Sequence, residues 1–190
     1  MTKSDKFKYP DSLDLDDQLA YGVGTLVANW SVIETLFYGL LEVLAGRAKT
    51  DNARVIWLSL RTTEARLNLI LQLAKVQTIA PVTAKDVESM CNRFTGISKV
   101  RNWFCHAVYR ADASGKLQFL ENTRLGHADD PLSVERKPLN KATLNEISHT
   151  IGEASQLNRD LWLLLIRLHE TLPAGQHLEL PPERDEYLAR

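Results

Sequence analysis

Cysteine is scarce in this 190-residue chain, which has only Cys91 and Cys105. Both fall on one predicted helix, where fourteen positions amount to roughly 21 Å at the helical rise. Bridged Cα atoms lie within about 7 Å, so a disulfide between them is excluded. Neither cysteine has a second Cys or a His at zinc-finger spacing, which argues against a structural metal. A charge surplus is lacking too: 23 Lys and Arg stand against 24 Asp and Glu, for a net charge of -1. That balance excludes a polycation coating nucleic acid in bulk but leaves room for a local basic site. Met1-Thr2-Lys3-Ser4-Asp5-Lys6 leads into no apolar run, so no secretory signal is expected. The longest charge-poor stretch, residues 20–45, holds Asn29, Glu34 and Glu42, which disfavours a membrane span. Internal repeats, low-complexity blocks and Ser/Gly linkers are absent. The expectation is a reduced, cytoplasmic protein with no membrane partner.

The chain does have a globular composition, 44% apolar and 25% charged, which is enough for one well-buried domain. That domain is expected over residues 1–172, followed by a polar tail at 173–190 with Pro173, Pro181 and Pro182. A first helix should begin in the acidic segment 11–17. Val23, Leu26, Val27, Trp30, Ile33, Phe37, Leu40, Leu41 and Leu44 recur at helical spacing along it, and Gly46 supplies a stop. Gly22 and Gly24 have no strand before them, so they read as small residues at a close helix contact rather than a phosphate loop. A second helix is predicted over 51–79, mostly buried, with a break near Thr62 and Thr63. A third opens at Thr83, with Asp86 at a capping-box position, and continues to about Arg110.

The texture then changes. Residues 116–124 and 132–139 are short and alternating around a turn-rich stretch at 126–131, and read as a β-hairpin or an ordered loop excursion over about 116–139. Thr143-Leu144-Asn145-Glu146 forms a capping-box pattern before a last long helix to about Leu172. The fold class expected is all-α, an antiparallel bundle of four or five long helices with this insert between the last two.

The third helix carries the chemistry. From residue 89 to 111 there is no Asp or Glu, while Arg93, Lys99, Arg101 and Arg110 are basic. The plain alternative is a surface helix balanced by neighbouring acids. Within it lies Arg101-Asn102-Trp103-Phe104-Cys105-His106. Asn102 and His106 are four apart and share a face, so the amide is placed to orient the imidazole or share its ligand. Arg101 lies about 140° round from His106, on the apolar stripe of Val87, Met90, Cys91, Phe94, Ile97, Phe104 and Val108. An arginine there needs a carboxylate or a cleft. Glu34, on the stripe between Trp30 and Phe37, is the candidate carboxylate. The pair would either fix helix register or aim the Arg101 fork at a phosphate.

The segment resembles the R-x4-6-H motif, often beginning Arg-Asn, of the HEPN superfamily of all-helical nucleases and nucleotide-binding domains. The place of the motif late in the bundle on a helix matches, as does the earlier helix with Trp30-Ser31-Val32-Ile33-Glu34, and the resemblance covers about residues 18–172. Requiring Asn after the Arg lowers the chance expectation for such a match to about 0.05. The resemblance implies a dimerising helical bundle whose two motifs meet at a shared cleft. It implies a metal-independent, cofactor-free ribonuclease of a toxin–antitoxin, defence or RNA-processing system, with RNA as substrate and an antitoxin or nucleotidyltransferase as a further partner. Arg101, Asn102 and His106 carry over as the catalytic set, with Glu34 in support. The chemistry suits them: imidazole exchanges protons near neutral pH, and guanidinium stabilises the charge developing on phosphorus. The alternative is a silent HEPN-like module that binds nucleotide or RNA, or dimerises.

Other groups rank lower. Cys105 lies about 100° round the helix from His106, poor geometry for a nucleophilic pair. His127, Asp129 and Asp130 share one loop and read as solvated turn residues rather than a metal site. His149 and His169 read as polar positions on the last helix, and Trp57, Trp103 and Trp162 as core or interface. Trp103 is expected to be partly exposed in one copy, where a second copy in a two-fold dimer would cover it.

Overall fold

Asp14 opens the first helix: its carboxylate accepts the backbone N–H of Asp17 at 2.9 Å, and α1 runs Leu15–Leu44. The computed structural model describes residues 7–46, 50–76, 82–125 and 132–172. Gly46 follows α1 with φ of 70°, the left-handed stop expected of it. The predicted second helix is two, α2 (Thr50–Ser59) and α3 (Thr63–Val76), parted at the predicted break. There the Thr62 hydroxyl accepts the Ala65 N–H at 3.1 Å and so caps α3. α3 buries Leu67, Ile70 and Ala74, whereas α2 buries Ala53 and leaves Val55, Ile56 and Leu58 exposed. The expectation of one mostly buried helix is corrected to that extent.

Thr83 and Asp86 form the capping box before α4 (Ala84–His106). The Asp86 carboxylate accepts the Thr83 N–H at 2.8 Å, and the Thr83 hydroxyl accepts the Asp86 N–H at 3.2 Å. α4 ends at His106, four residues short of the expected Arg110. Val108–Ala111 is instead β1, pairing antiparallel with β2 (Leu117–Leu125), which pairs with β3 (Leu132–Pro138). The insert is thus a three-stranded sheet in the order β1-β2-β3 rather than a lone hairpin. Val108, expected on the helical stripe, is a half-exposed strand residue.

The last helix, α5, runs Lys141–Thr171. Its cap is Asn140, whose side-chain oxygen accepts the N–H groups of Ala142 at 2.9 Å and Thr143 at 3.1 Å. The predicted capping box does not form. The Thr143 hydroxyl donates to Pro138 O, and Glu146 accepts from Lys137. The chain is therefore mostly helical, with five helices among the described residues and a small antiparallel sheet between the last two of them.

The described residues divide into two compact units, one of 7–30, 97–125 and 132–154, the other of 31–46, 50–76, 82–96 and 155–172. In the first, Leu19, Leu26, Ile97, Trp103, Phe104, Leu120, Leu144, Ile147 and Ile151 are buried. Gly22 permits a close approach there: a Cβ on it would stand 2.7 Å from Tyr9 Oη and 3.0 Å from Ile147 Cγ2. The small-residue reading of Gly22 holds, whereas Gly24 faces open space. In the second unit, Ile33, Phe37, Leu40 and Leu41 are buried, as are Leu67, Ile70, Phe94, Leu157, Leu161 and Leu164. The Phe37 and Phe94 rings lie 5.1 Å apart. Each fully buried side chain of this size stabilises by roughly 1.5–3 kcal/mol. By length and composition α1 is apolar enough to cross a membrane, with a mean hydropathy of 1.2 over its best window. Its apolar positions Leu26, Ile33, Phe37 and Leu40 are nonetheless buried within the protein, and its Glu34 is ion-paired.

Candidate functional site

Four carbonyls at the C-terminal end of any α-helix lack intrahelical donors, so a helix end needs partners from elsewhere. On α4 the sheet supplies them. The buried Asn122 on β2 donates its amide N–H to Trp103 O at 3.1 Å, and the Tyr109 hydroxyl on β1 donates to Phe104 O at 2.9 Å. The Trp103 indole N–H donates to Glu135 on β3 at 2.7 Å, and Lys137 Nζ lies 4.3 Å from its ring centroid. These contacts leave Trp103 only 4% exposed. The expectation of a partly exposed Trp103 is corrected: the chain's own sheet covers it, and no second copy is needed for that.

The predicted catalytic residues occupy this tethered end. Arg101 is half-buried, whereas Asn102 and His106 are exposed. Arg101 Nη1 donates to Asn102 Oδ1 at 2.8 Å, so the amide is turned to the guanidinium rather than to the imidazole. The guanidinium carbon of Arg101 lies 4.3 Å from the centroid of the Trp30 ring, and the Trp30 indole N–H donates to Ser98 Oγ at 2.9 Å. Arg101 Nε is buried with no hydrogen-bond partner among the described residues. No acid pairs with Arg101 among the described residues either; its support is an indole face and a neutral amide.

The expected Glu34–Arg101 pair does not form. Glu34 is mostly buried, as expected, but Arg66 is its partner, with Nη1 to Oε1 at 2.5 Å. Arg66 Nε also donates to the carbonyls of Leu60 at 3.0 Å and Trp57 at 3.3 Å, closing the end of α2. Its guanidinium lies 4.6 Å from the Trp57 ring centroid. This is the structural version of a glutamate–arginine pair, made with an arginine of α3 rather than of α4. Glu34 also lines a cleft of about 370 Å³ with Thr35, Tyr38, Arg54, Trp57 and Leu58.

Ion pairs sort the basic run into used and unused charges. Arg93 is answered by Asp160 at 2.6 Å. Arg110 bonds Glu121 at 3.1 Å and Arg136 bonds the same carboxylate at 2.8 Å; the two, Arg136 foremost, hold the Glu121 carboxyl below its ordinary range. Lys99 and Arg101 are left without an acid among the described residues, and both lie within one turn of Asn102. Of the four basic residues in the acid-free run, two are thus answered by acids among the described residues and two are not.

Cys105 is exposed and Cys91 buried. His149 is exposed and His169 half-buried, and Trp57 and Trp162 are half-buried. The loop carrying His127, Asp129 and Asp130 and the tail 173–190 lie outside the described residues. Trp30 and Ser98 are the site residues that sequence reasoning missed; both stand one turn from a motif position or on the first helix's stripe, but nothing in their spacing marks them as partners. Comparison with known proteins finds no similar family model, curated protein or solved structure.

Proposed function

We propose that this chain is a metal-independent endoribonuclease of HEPN type, acting as a toxin, defence or RNA-processing component of the cytoplasm. The reading includes the antiparallel helical bundle and two-fold homodimer that the family resemblance implies. RNA's own 2′-OH attacks the adjacent phosphate. His106 exchanges the proton, Arg101 stabilises the charge on the phosphorane, and Asn102 holds the phosphate or the Arg101 fork. One observation carries this reading. Arg101 is a half-buried cation with no carboxylate among the described residues, fixed on Trp30 and bonded to Asn102, one turn and a half before an exposed His106. A guanidinium left in that state is suited to a bidentate oxyanion such as a phosphodiester.

Arg101 and His106 are about 140° apart around one helix. A site shared by two copies, each lending its motif, accommodates that separation, which is the support for the homodimer now that Trp103 gives none. The test is cleavage of an RNA panel in EDTA by wild type, Arg101→Ala and His106→Ala, with DNA as control. Wild type cleaves, and each variant loses about 10²–10³ in rate, the usual cost of one such donor. Equal cleavage by all three proteins contradicts the assignment.

A second reading, a silent module that binds RNA or nucleotide, is favoured by one feature. The His106 imidazole has no hydrogen-bond partner among the described residues, so nothing within them fixes its orientation. Retained RNA binding with no cleavage anywhere on the panel selects this reading.

A further inference from the structure

Among the described residues, two arginines lie over tryptophan rings, and they are used differently. Arg66 over Trp57 spends its fork on Glu34 and on two backbone carbonyls. Among the described residues, Arg101 over Trp30 makes one hydrogen bond, to Asn102. A guanidinium has five N–H donors. With one given to Asn102 and the Nε one buried, three N–H groups on Nη1 and Nη2 are uncommitted among the described residues.

A buried, unpaired Nε is costly, and native structures rarely tolerate one without a compensating use. Stacking on the electron-rich indole face is the compensation here, since it stabilises the cation without occupying its hydrogen-bonding edge. A carboxylate in the same place would have neutralised the charge and filled the fork. The indole itself is held in turn, because its only N–H donates to Ser98, one turn before Arg101 on the same helix.

We infer that Trp30 and Ser98 are positioning residues that hold Arg101 as an end-on anion fork, presenting its Nη1 and Nη2 edge to a phosphodiester. This deepens the ribonuclease reading and rests on it for the identity of the anion. The inference assigns a working part to the first helix, whose sequence offered only Glu34 as a candidate. It also explains how an arginine on an apolar stripe remains without an acid.

The test is a binding cycle on the full chain, using uncleavable 2′-O-methyl RNA as the probe and fluorescence anisotropy as the readout. The proteins are wild type, Trp30→Leu, Arg101→Ala and the double variant, with Ser98→Ala and Trp30→Phe as milder changes should the leucine not fold. Trp30→Leu is expected to weaken binding by roughly three- to thirty-fold, the range a cation–π contact spans. Ser98→Ala should weaken it less. Trp30→Phe keeps a ring but loses the N–H, and should fall between wild type and leucine. In the Arg101→Ala background each of these changes should have no further effect, a pattern that a general loss of structure does not produce. Additive losses would overturn the inference and mean that the indole meets the RNA itself. Affinity unchanged by Trp30→Leu, or by both Trp30→Phe and Ser98→Ala where the leucine does not fold, would overturn it too, as would a wild type that does not hold the probe. An intact cycle with no cleavage of 2′-OH RNA by wild type would remove the ribonuclease reading and leave the fork in place.

Discussion

Asn122, buried on the middle strand, donates its side-chain N–H to the carbonyl of Trp103, which would otherwise end α4 unpaired. The sheet is therefore a terminator for the motif helix as well as a cover for Trp103. Replacing Asn122 with Ala leaves a buried carbonyl without its donor, at a cost of about 1–3 kcal/mol. Denaturant unfolding should show that loss. Hydrogen exchange should show it concentrated in the last turn of α4, and a stability equal to wild type would mean the tether is idle.

Glu34 and Arg66 are each about one-fifth exposed, so each needs the other. Glu34→Ala should cost about 2–4 kcal/mol, somewhat under the loss for a fully buried pair. Combined with Arg66→Leu, the total should fall short of the two single losses together. The proposed RNA cleavage, per folded molecule, should persist in Glu34→Gln, because Glu34 pairs with Arg66 and not with Arg101. Loss of cleavage in a stably folded Glu34→Gln would restore the abandoned Glu34–Arg101 link.

The two thiols should behave oppositely. Burial, with a smaller contribution from Glu88, pushes the Cys91 thiol up to about 12, whereas Cys105 is exposed. A disulfide-exchange reagent at mildly alkaline pH should titrate one thiol at once and the second only on unfolding. Rapid reaction of both would place Cys91 outside the core.

Hydrogen bonds from the Thr83 hydroxyl and backbone N–H hold the Asp86 carboxyl below its ordinary range. A carboxyl lowered in the folded state stabilises above its unfolded pKa, and that contribution is lost as pH falls through the folded value. The stability difference between wild type and Asp86→Asn should therefore be present at neutral pH and shrink toward zero in acid. Thr83→Ala should cost about 1 kcal/mol, the usual worth of a cap.

Periodicity made much of this fold legible. The stripe from Leu26 to Leu44, the Thr83–Asp86 box and the break at Thr62 each follow from local chemistry that the chain writes in adjacent residues. β1 was hidden because Val108 continues the four-residue spacing from Phe104. The clue that outweighs it is the turn at 112–115, where the Asp112 carboxylate accepts from Ser114 and Lys116 and Gly115 takes φ of 86°. The start of α5 was set late because Thr143 and Glu146 fit a capping box. In three dimensions, Pro138 and Lys137 claim both side chains, leaving Asn140 as the cap. Arg101 was identified by charge and motif, but its companion was not. An arginine on a stripe calls for a carboxylate or a cleft, and an aromatic face satisfies the same requirement through a contact that spacing does not encode.

The proposed reaction uses RNA's own 2′-OH at the Arg101–His106 end of α4. A cleaved RNA resynthesised with one 2′-deoxy nucleotide on the 5′ side of the scissile phosphate tests it most directly. The account predicts that cleavage at that bond disappears while binding and cleavage elsewhere persist, and that the unmodified RNA yields 2′,3′-cyclic phosphate and 5′-OH ends. Cleavage that continues through the deoxy position, or a 3′-OH product, would contradict it.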